Sequence, residues 1–150
     1  MHVALESPDQ PDVRQLIDEL DAYQDTLYPP ECRHVLDLAG LLQPQVRFVV
    51  VRDALGAAVA CGAVVLQADH AEIKRLYVLD GARGRGLARQ LMAQLEALLT
   101  VRGVMLARLE TGIHQPEAIG LYRRLGYVEC GPFGSYAPDP LSLFMEKRLT

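Results

Sequence analysis

The chain has 150 residues, of which half are hydrophobic and 23% are charged, a composition that suits a globular domain and excludes a disordered chain. Its formal net charge of −4 argues against a nucleic-acid-binding protein, because such proteins normally carry a basic face. No apolar run approaches the roughly 20 residues that a membrane-spanning helix needs. We therefore expect a single domain over residues 1–150, with neither nucleic acid nor a membrane as its partner.

The cysteines and the first residues bear on location and metal binding. Residues 1–6 lack the basic and apolar regions of a secretory signal. The three cysteines, Cys32, Cys61 and Cys130, have no metal-ligand spacing, and an odd number suits a reducing compartment. These features predict a cytoplasmic protein without a bound metal.

The first half of the chain predicts helices and a run of strands. Apolar residues recur at helical spacing over residues 12–27, and Tyr28-Pro29-Pro30 ends that helix. Residues 47–51 are β-branched and aromatic, and the turn-like residues 53–56 predict an antiparallel hairpin with the next strand. The predicted elements are a strand over 3–5, helices over 12–27 and 32–42, and strands over 47–51, 57–67 and 71–78.

The second half alternates strands and helices. Residues 81–86 contain three glycines, which weaken both helix and strand, so they predict a loop. Leu87, Leu91 and Leu95 recur on one stripe of a long helix that Gly103 ends. The remaining predicted elements are a strand over 104–110, a helix over 116–125, and strands over 127–130 and 141–147 joined by the loop 131–140. This order predicts one α/β domain.

The segment Arg83-Gly84-Arg85-Gly86-Leu87-Ala88 lies between a predicted strand and the long helix. Helix N-termini carry unpaired N–H groups and a partial positive charge, and glycines let a backbone approach a ligand closely. No Ser, Thr, Asp or Asn stands just before Leu87 to cap the helix. The segment therefore predicts a phosphate or pyrophosphate site, with a flexible strand-to-helix connection as the plainer alternative.

Two widespread nucleotide-binding motifs do not match this loop. The phosphate loop of nucleoside triphosphatases needs Gly-Lys followed by Ser or Thr, and no Gly-Lys occurs in the chain. The dinucleotide motif follows the first strand of its domain, whereas several predicted strands precede this loop.

Arg83-x-x-Gly86-x-Ala88 resembles the Arg/Gln-x-x-Gly-x-Gly/Ala pyrophosphate signature of the GNAT superfamily of acyl-CoA-dependent N-acetyltransferases. Residues 73–78 resemble the strand that precedes this loop in the family. Residues 118–127 resemble its Ala-x-x-Leu-Tyr-x-x-x-Gly-Phe/Tyr segment, so the resemblance covers roughly residues 71–130. It implies an α/β (α+β) fold with a mixed, mostly antiparallel central sheet, splayed parallel strands and flanking helices.

The resemblance implies acetyl-CoA as a co-substrate, bound in a V-shaped opening between two parallel strands. The pantetheine arm would pair with the backbone of one strand, and residues 106–110 would form the other side of the opening. Gln115 stands where many family members have an asparagine that contacts the pantetheine. The residues that the resemblance assigns to the cofactor are Leu76, Tyr77, Val78, Arg83, Gly84, Arg85, Gly86, Leu87, Ala88 and Gln115.

The resemblance also assigns two catalytic roles. Tyr122 aligns with the tyrosine that protonates the leaving sulfur, and its ordinary pKa of about 10 keeps it protonated at neutral pH. Because Tyr122 shares an apolar helix face with Leu121, a packed core tyrosine is the alternative. Glu72 stands where some family members carry the amine base, with an ion pair as its alternative role and Glu110 as a rival base.

These assignments predict an N-acetyltransferase that acts on a primary amine by direct attack, with Tyr122 as the general acid. The alternatives are a non-catalytic acyl-CoA sensor, a hydroxyl acceptor, and a protein or peptide amine. We expect a small amine, because the segments left over from cofactor binding offer aromatic rings and carboxylates. Those side chains are Tyr23, Tyr28, Glu31, Phe133, Tyr136 and Asp139. Members of the resembled family often form homodimers, but no feature of this sequence fixes the oligomeric state.

Overall fold

The computed structural model describes residues 1–33 and 36–149, and one seven-stranded sheet forms its centre. The strands are β1 (His2–Leu5), β2 (Val46–Arg52), β3 (Ala58–Leu66), β4 (Ala71–Val78), β5 (Leu106–Gly112), β6 (Val128–Cys130) and β7 (Ser142–Arg148). The helices are α1 (Pro11–Asp25), α2 (Leu38–Leu41), α3 (Leu87–Val101) and α4 (Pro116–Arg124). Short 3₁₀ turns cover Pro30–Cys32 and Asp80–Ala82.

The strand order of the sheet is β1-β2-β3-β4-β5-β7-β6, and the β4–β5 pair is parallel while its other pairs are antiparallel. This arrangement confirms the predicted mixed, mostly antiparallel sheet. Residues 71–73 of β4 pair with residues 107–109 of β5, whereas β4 pairs with β3 as far as Val78. The two parallel strands therefore separate after Ile73, which leaves one edge of β4 without a strand partner in the described sheet.

A β-bulge in β4 accompanies this separation. The register between β3 and β4 shifts so that two β4 residues, Arg75 and Leu76, stand opposite Gly62. Arg75 has a φ of +59°, in the left-handed region that residues other than glycine seldom adopt. Its guanidinium donates to the carboxylate of Asp21 in α1 at 2.6 Å and to the carbonyl of Leu36 at 3.1 Å. These bonds hold the bulge against α1.

Two apolar cores lie on opposite faces of the sheet. Alternate residues of β2 belong to different cores, Val49 and Val51 to one and Phe48 and Val50 to the other. The predicted leucine stripe of α3 packs on the first core, and α1 packs on the second. Burial of each large apolar side chain contributes roughly 1.5–3 kcal/mol. The two helices thereby fix the strands that carry the cavity described below.

The predicted helix over residues 32–42 is wrong in extent. In the described part of that segment, only Leu38–Leu41 is α-helical, and residues 34 and 35 of the prediction lie outside the described residues. The Asp37 carboxylate accepts from the N–H of Gly40 at 2.9 Å and so fixes where the short helix begins. The other predicted elements agree with the observed bounds to within about two residues.

Three further findings bear on partners and reactivity. None of the helices in residues 1–33 and 36–149 is long and apolar enough to cross a membrane. Across those same residues, no group of three or more His, Cys, Asp and Glu side chains is placed to hold a metal ion. The three cysteines are free thiols, and burial raises the pKa of the Cys61 thiol to about 12, so that thiol is not a nucleophile at neutral pH.

Candidate active site

A cavity of about 850 Å³ opens where β4 and β5 separate, a size typical of small-molecule sites. Its walls come from β4, the loop before α3, the start of α4, and the end of α1. The predicted site residues that line it are Leu76, Tyr77, Val78, Arg83, Gly84, Gly86, Leu87, Ala88, Gln115 and Tyr122. Of the residues that the sequence assigned to the site, Arg85 and Glu72 do not line it. The fold therefore brings most of that set to one cavity.

The free edge of β4 forms one long wall of the cavity. Residues 74–78 lie beyond the register that β4 shares with β5, while the opposite edge of the strand continues to pair with β3. Alternate backbone N–H and C=O groups of an unpaired strand edge point sideways, here into the cavity. An extended ligand with amide groups could therefore add to β4 as a further strand.

The loop before α3 presents the N-terminus of that helix to the cavity. Gly84 and Gly86 have φ angles of +80° and +73°, which favour glycine over any other residue. Gly86 is the N-cap of α3, and no described side chain caps the helix by a hydrogen bond. The first N–H groups of α3 and its positive dipole end are therefore available to an anion.

Arg83 lies at the mouth of this loop and is held there by neighbouring groups. Its Nη1 lies 2.7 Å from the carboxylate of Asp80, and its Nε donates to the carbonyl of Val78 at 3.0 Å. The guanidinium also lies over the ring of Tyr77, 5.9 Å from the centroid. The side chain is 45% exposed, so solvent screens the ion pair with Asp80 and an anionic ligand can reach the guanidinium.

Tyr122 is the buried residue of α4, and its side chain lines the cavity. Its ring packs edge-on against Tyr127, with 6.0 Å between the ring centroids. Burial raises the pKa of Tyr122, and the negative charge of Glu110 raises it further. The phenol therefore stays protonated far above neutral pH and can donate a proton, while the same burial is also compatible with a packed core tyrosine.

Glu110, near the end of β5, lines the cavity on the side opposite β4. Its charge acts on more than one tyrosine. Burial raises the pKa of Tyr28, and Glu110 adds to that increase as it does for Tyr122. Glu110 therefore borders the same cavity as Tyr122, as does Glu117 of α4.

Glu72 has different surroundings, beneath the loop 131–140. The Tyr136 hydroxyl donates to its carboxylate, and Nζ of Lys74 lies 3.4 Å from the same oxygen. Lys74 in turn donates to the Tyr136 hydroxyl at 2.8 Å. Burial raises the pKa of Tyr136, and the charge of Glu72 contributes. The cluster of Glu72, Lys74 and Tyr136 fastens the loop to β4.

The acceptor-binding side chains expected from the sequence lie only partly at the cavity. Tyr23 and Tyr28 line it, whereas Glu31, Phe133, Tyr136 and Asp139 do not. The rings of Phe133 and Tyr136 pack against each other instead, 5.2 Å between centroids. Sequence reasoning missed the other residues at this end, because no motif marks them. They include Leu20, Gln24, Cys32, Arg33, Leu36 and Leu141.

Charge pairs hold the end of the cavity beside α1 in place. Arg33 donates to the carboxylate of Asp21 at 3.0 Å, and Arg75 binds the same carboxylate. Both guanidinium side chains are less than a tenth exposed. The segment after α1 is therefore fixed to β4 by two arginines that share one aspartate.

Comparison with known proteins identifies the family to which the chain belongs. The family model described as "Acetyltransferase (GNAT) family" matches residues 12–127 of the chain. A relative from Azospirillum brasilense named IAA acetyltransferase is 46% identical over 149 residues, covering 98% of this chain and 97% of that protein. The chain belongs to the GNAT family of acetyltransferases and is an acyltransferase, which confirms the resemblance inferred from residues 83–88 and 118–127.

Solved structures agree with this assignment. One from Klebsiella pneumoniae subsp. pneumoniae MGH 78578, provisionally assigned as an acyl-CoA N-acyltransferase, is 40% identical with a TM-score of 0.87. The match covers 99% of this chain and 97% of that one. A spermidine N-acetyltransferase from Vibrio cholerae, solved with CoA and spermine, has the same fold at 18% identity, with a TM-score of 0.71. That match covers 98% of this chain and 95% of the other.

Proposed function

We propose that the protein transfers an acetyl group from acetyl-CoA to the primary amine of a small molecule. The observation that carries the proposal is one cavity bordered by the free edge of β4, the uncapped N-terminus of α3, and the phenol of Tyr122. The spermidine N-acetyltransferase was solved with CoA and a polyamine, which supports a small amine as the acceptor.

The chain offers separate groups for the two halves of acetyl-CoA. The pyrophosphate would accept hydrogen bonds from the first N–H groups of α3, with Arg83 adding positive charge. The pantetheine arm would lie along residues 74–78 as an added strand, and Gln115 would contact one of its amides. Gly84 and Gly86 permit the close approach of the loop to the phosphates.

The transfer requires one new bond, one broken bond and two proton transfers at the reacting atoms, one from the nitrogen and one to the sulfur. The neutral amine attacks the thioester carbonyl carbon, which forms the C–N bond and a tetrahedral oxyanion. Collapse of this intermediate breaks the C–S bond, and the Tyr122 hydroxyl gives its proton to the sulfur, so CoA leaves as a thiol. The amine nitrogen loses its proton to a base, and solvent returns a proton to the tyrosinate.

We infer that Glu110, rather than Glu72, is the group that receives the amine proton. Glu110 borders the cavity that Tyr122 lines, which supports this role. The Glu72 carboxylate already accepts hydrogen bonds from Tyr136 and Lys74, which supports a structural role under the loop 131–140.

The test is release of free thiol from acetyl-CoA in the presence of a panel of acceptors. The panel contains di- and polyamines, aromatic amines, aminoglycosides, IAA and basic peptides at matched concentrations. We expect a small amine to give the highest kcat/KM. Binding of CoA without thiol release for any acceptor would favour a sensor, and a higher kcat/KM for the peptides would favour a protein acceptor. A cytoplasmic location stays a prediction from the sequence, and a homodimer stays one from the family resemblance.

The role of Tyr122 is tested by Tyr122→Phe. Loss of the acid should lower kcat by about 10²-fold or more while the Kd for acetyl-CoA changes little. Tyr127→Phe is the matched control, because it removes a hydroxyl that bonds to Glu96 at 2.8 Å, away from the cavity wall. Turnover of Tyr122→Phe equal to that of the control would leave Tyr122 as a packing residue.

A further inference from the structure

Tyr28 reaches from the end of α1 to the start of α4. Its hydroxyl accepts a hydrogen bond from the backbone N–H of His114 at 3.2 Å and donates to Oε1 of Gln115 at 3.2 Å. Its ring stacks on the His114 ring, with 5.5 Å between centroids and 22° between planes. Tyr28 and Gln115 both line the cavity and are 87 positions apart in sequence. One side chain thus joins the acceptor end of the cavity to the cofactor end.

Gly112, the last residue of β5, makes room for this side chain. A Cβ at position 112 would lie 2.6 Å from Cε1 of Tyr28 and closer still to the hydroxyl. The backbone of Gly112 is outside the left-handed region, so the requirement for glycine comes from packing and not from the φ angle. Any larger residue at position 112 would displace the Tyr28 phenol.

The hydrogen bonds of Tyr28 decide which end of the Gln115 amide is left for a ligand. The Tyr28 oxygen already accepts from the His114 N–H, and its own proton is donated to Gln115. That bond takes one lone pair of Oε1 and holds this oxygen toward Tyr28, which leaves the two N–H groups of Nε2 as the donors that Gln115 offers in the cavity. The complement to such a group is a carbonyl oxygen, which each amide of a pantetheine arm carries.

We propose that Tyr28 is a positioning residue that turns Nε2 of Gln115 toward a carbonyl oxygen of the pantetheine arm. The proposal rests on the proposed function, in which Gln115 contacts that arm. Tyr28 acts through Gln115 and takes no proton in the transfer. Its effect is confined to the pantetheine half of the ligand, because the pyrophosphate is bound by a different part of the wall.

The test compares two ligands on the Tyr28→Phe variant. CoA carries the pantetheine arm, whereas 3′-phosphoadenosine diphosphate carries the same nucleotide and pyrophosphate without it. Phenylalanine keeps the ring over Gly112 and removes the hydroxyl alone. We expect the Kd for CoA to rise about threefold to tenfold, the size of one net hydrogen bond, and the Kd for the nucleotide to stay unchanged. If the Tyr28 hydroxyl only supported the fold, the Kd values for CoA and for the nucleotide would rise together.

A double-mutant cycle with Gln115→Ala tests whether Tyr28 acts through Gln115. If it does, Tyr28→Phe combined with Gln115→Ala binds CoA no more weakly than Gln115→Ala alone. Additive losses, equal losses for the two ligands, or an unchanged Kd for CoA in Tyr28→Phe would overturn the inference. A wild-type protein that binds neither ligand would instead overturn the proposed function and the inference with it.

Discussion

The guanidinium of Arg75 lies 2.6 Å from the carboxylate of Asp21, and this pair joins the bulge of β4 to α1. The Arg75 side chain is 5% exposed, and its φ of +59° lies in the region that glycine normally occupies. The bend of β4 that opens the cavity is therefore held by an ion pair between a buried arginine and a partly exposed aspartate, and the arginine has an unfavourable backbone conformation.

Two substitutions of Arg75 should separate the contribution of its ion pair from the cost of its backbone conformation. Arg75→Ala should lower the free energy of unfolding by about 2–4 kcal/mol, because it removes one of the arginines that Asp21 binds and a donor to the Leu36 carbonyl. Arg75→Gly should lower it by about 0.5–1 kcal/mol less, since glycine adopts the positive φ without a Cβ clash. Urea denaturation measures the free energy of unfolding of both variants. A glycine variant less stable than the alanine variant would contradict a backbone cost at position 75.

Two glycines offer a matched pair of variants for testing the proposed pyrophosphate site. Gly86 at the start of α3 and Gly56 in the turn between β2 and β3 have φ angles of +73° and +84°, and a Cβ on either meets nothing within 4 Å. Substitution of either by alanine should therefore lower stability by a similar amount, about 1 kcal/mol.

CoA affinity should distinguish the two variants. The methyl group of Gly86→Ala would project where the backbone meets the phosphates, so we expect a loss of about tenfold or more in affinity and none in Gly56→Ala. The thermal shift that CoA produces reports this, because ligand at 100 times its Kd adds about 2.7 kcal/mol. Equal shifts in the two variants would remove the loop from the binding site.

The identity of the base should show in the pH dependence of kcat/KM. Glu110→Gln should lower kcat/KM by about 10²-fold and change the shape of the pH profile, because the amide cannot receive the amine proton as the carboxylate does. Glu72→Gln should give a profile of wild-type shape and a lower melting temperature, because Tyr136 and Lys74 lose a charged partner. An altered profile in Glu72→Gln beside an unaltered one in Glu110→Gln would return the role of base to Glu72.

Acid should remove the stabilisation that Arg52 provides at the N-terminus. Arg52 lies 2.9 Å from the Glu6 carboxylate and 2.6 Å from that of Asp12, and its hydrogen bonds lower the pKa of both groups. A carboxyl whose pKa is lower in the folded state stabilises the fold above its unfolded pKa, and that stability is lost as the pH falls through the folded pKa. The stability difference between wild type and Arg52→Met should thus be present at neutral pH and shrink below about pH 4. A difference that persists undiminished in stronger acid would contradict this explanation.

Local patterns predicted the cavity-lining residues of β4 and of the loop before α3 better than those beside α1. The positive φ angles of Gly84 and Gly86 and the leucine stripe of α3 follow from short stretches of sequence. The bond between Tyr28 and Gln115 cannot be predicted from a short stretch of sequence, since it joins residues 87 positions apart. Strand periodicity likewise places Glu72 on one face of β4, and only the position of the loop 131–140 reveals that Tyr136 covers it.

The short second helix illustrates the same limit. Residues 32–42 carry enough apolar side chains for a helix, but Arg33 is held by Asp21 and the carbonyl of Leu36 by Arg75. The bond from Arg75 takes a backbone carbonyl that a helix would use, and no pattern within the segment reports these tertiary bonds.

Hydrogen–deuterium exchange along β4 tests most directly whether acetyl-CoA binds in the cleft between β4 and β5. At saturating acetyl-CoA, amides within residues 74–78 should exchange more slowly, because a pantetheine arm paired with the free edge of β4 would protect the amides that face the cavity. Amides in residues 86–90, at the N-terminus of α3, should slow as the pyrophosphate accepts their hydrogen bonds. Unchanged exchange in residues 74–78 with acetyl-CoA bound would contradict binding along this cleft.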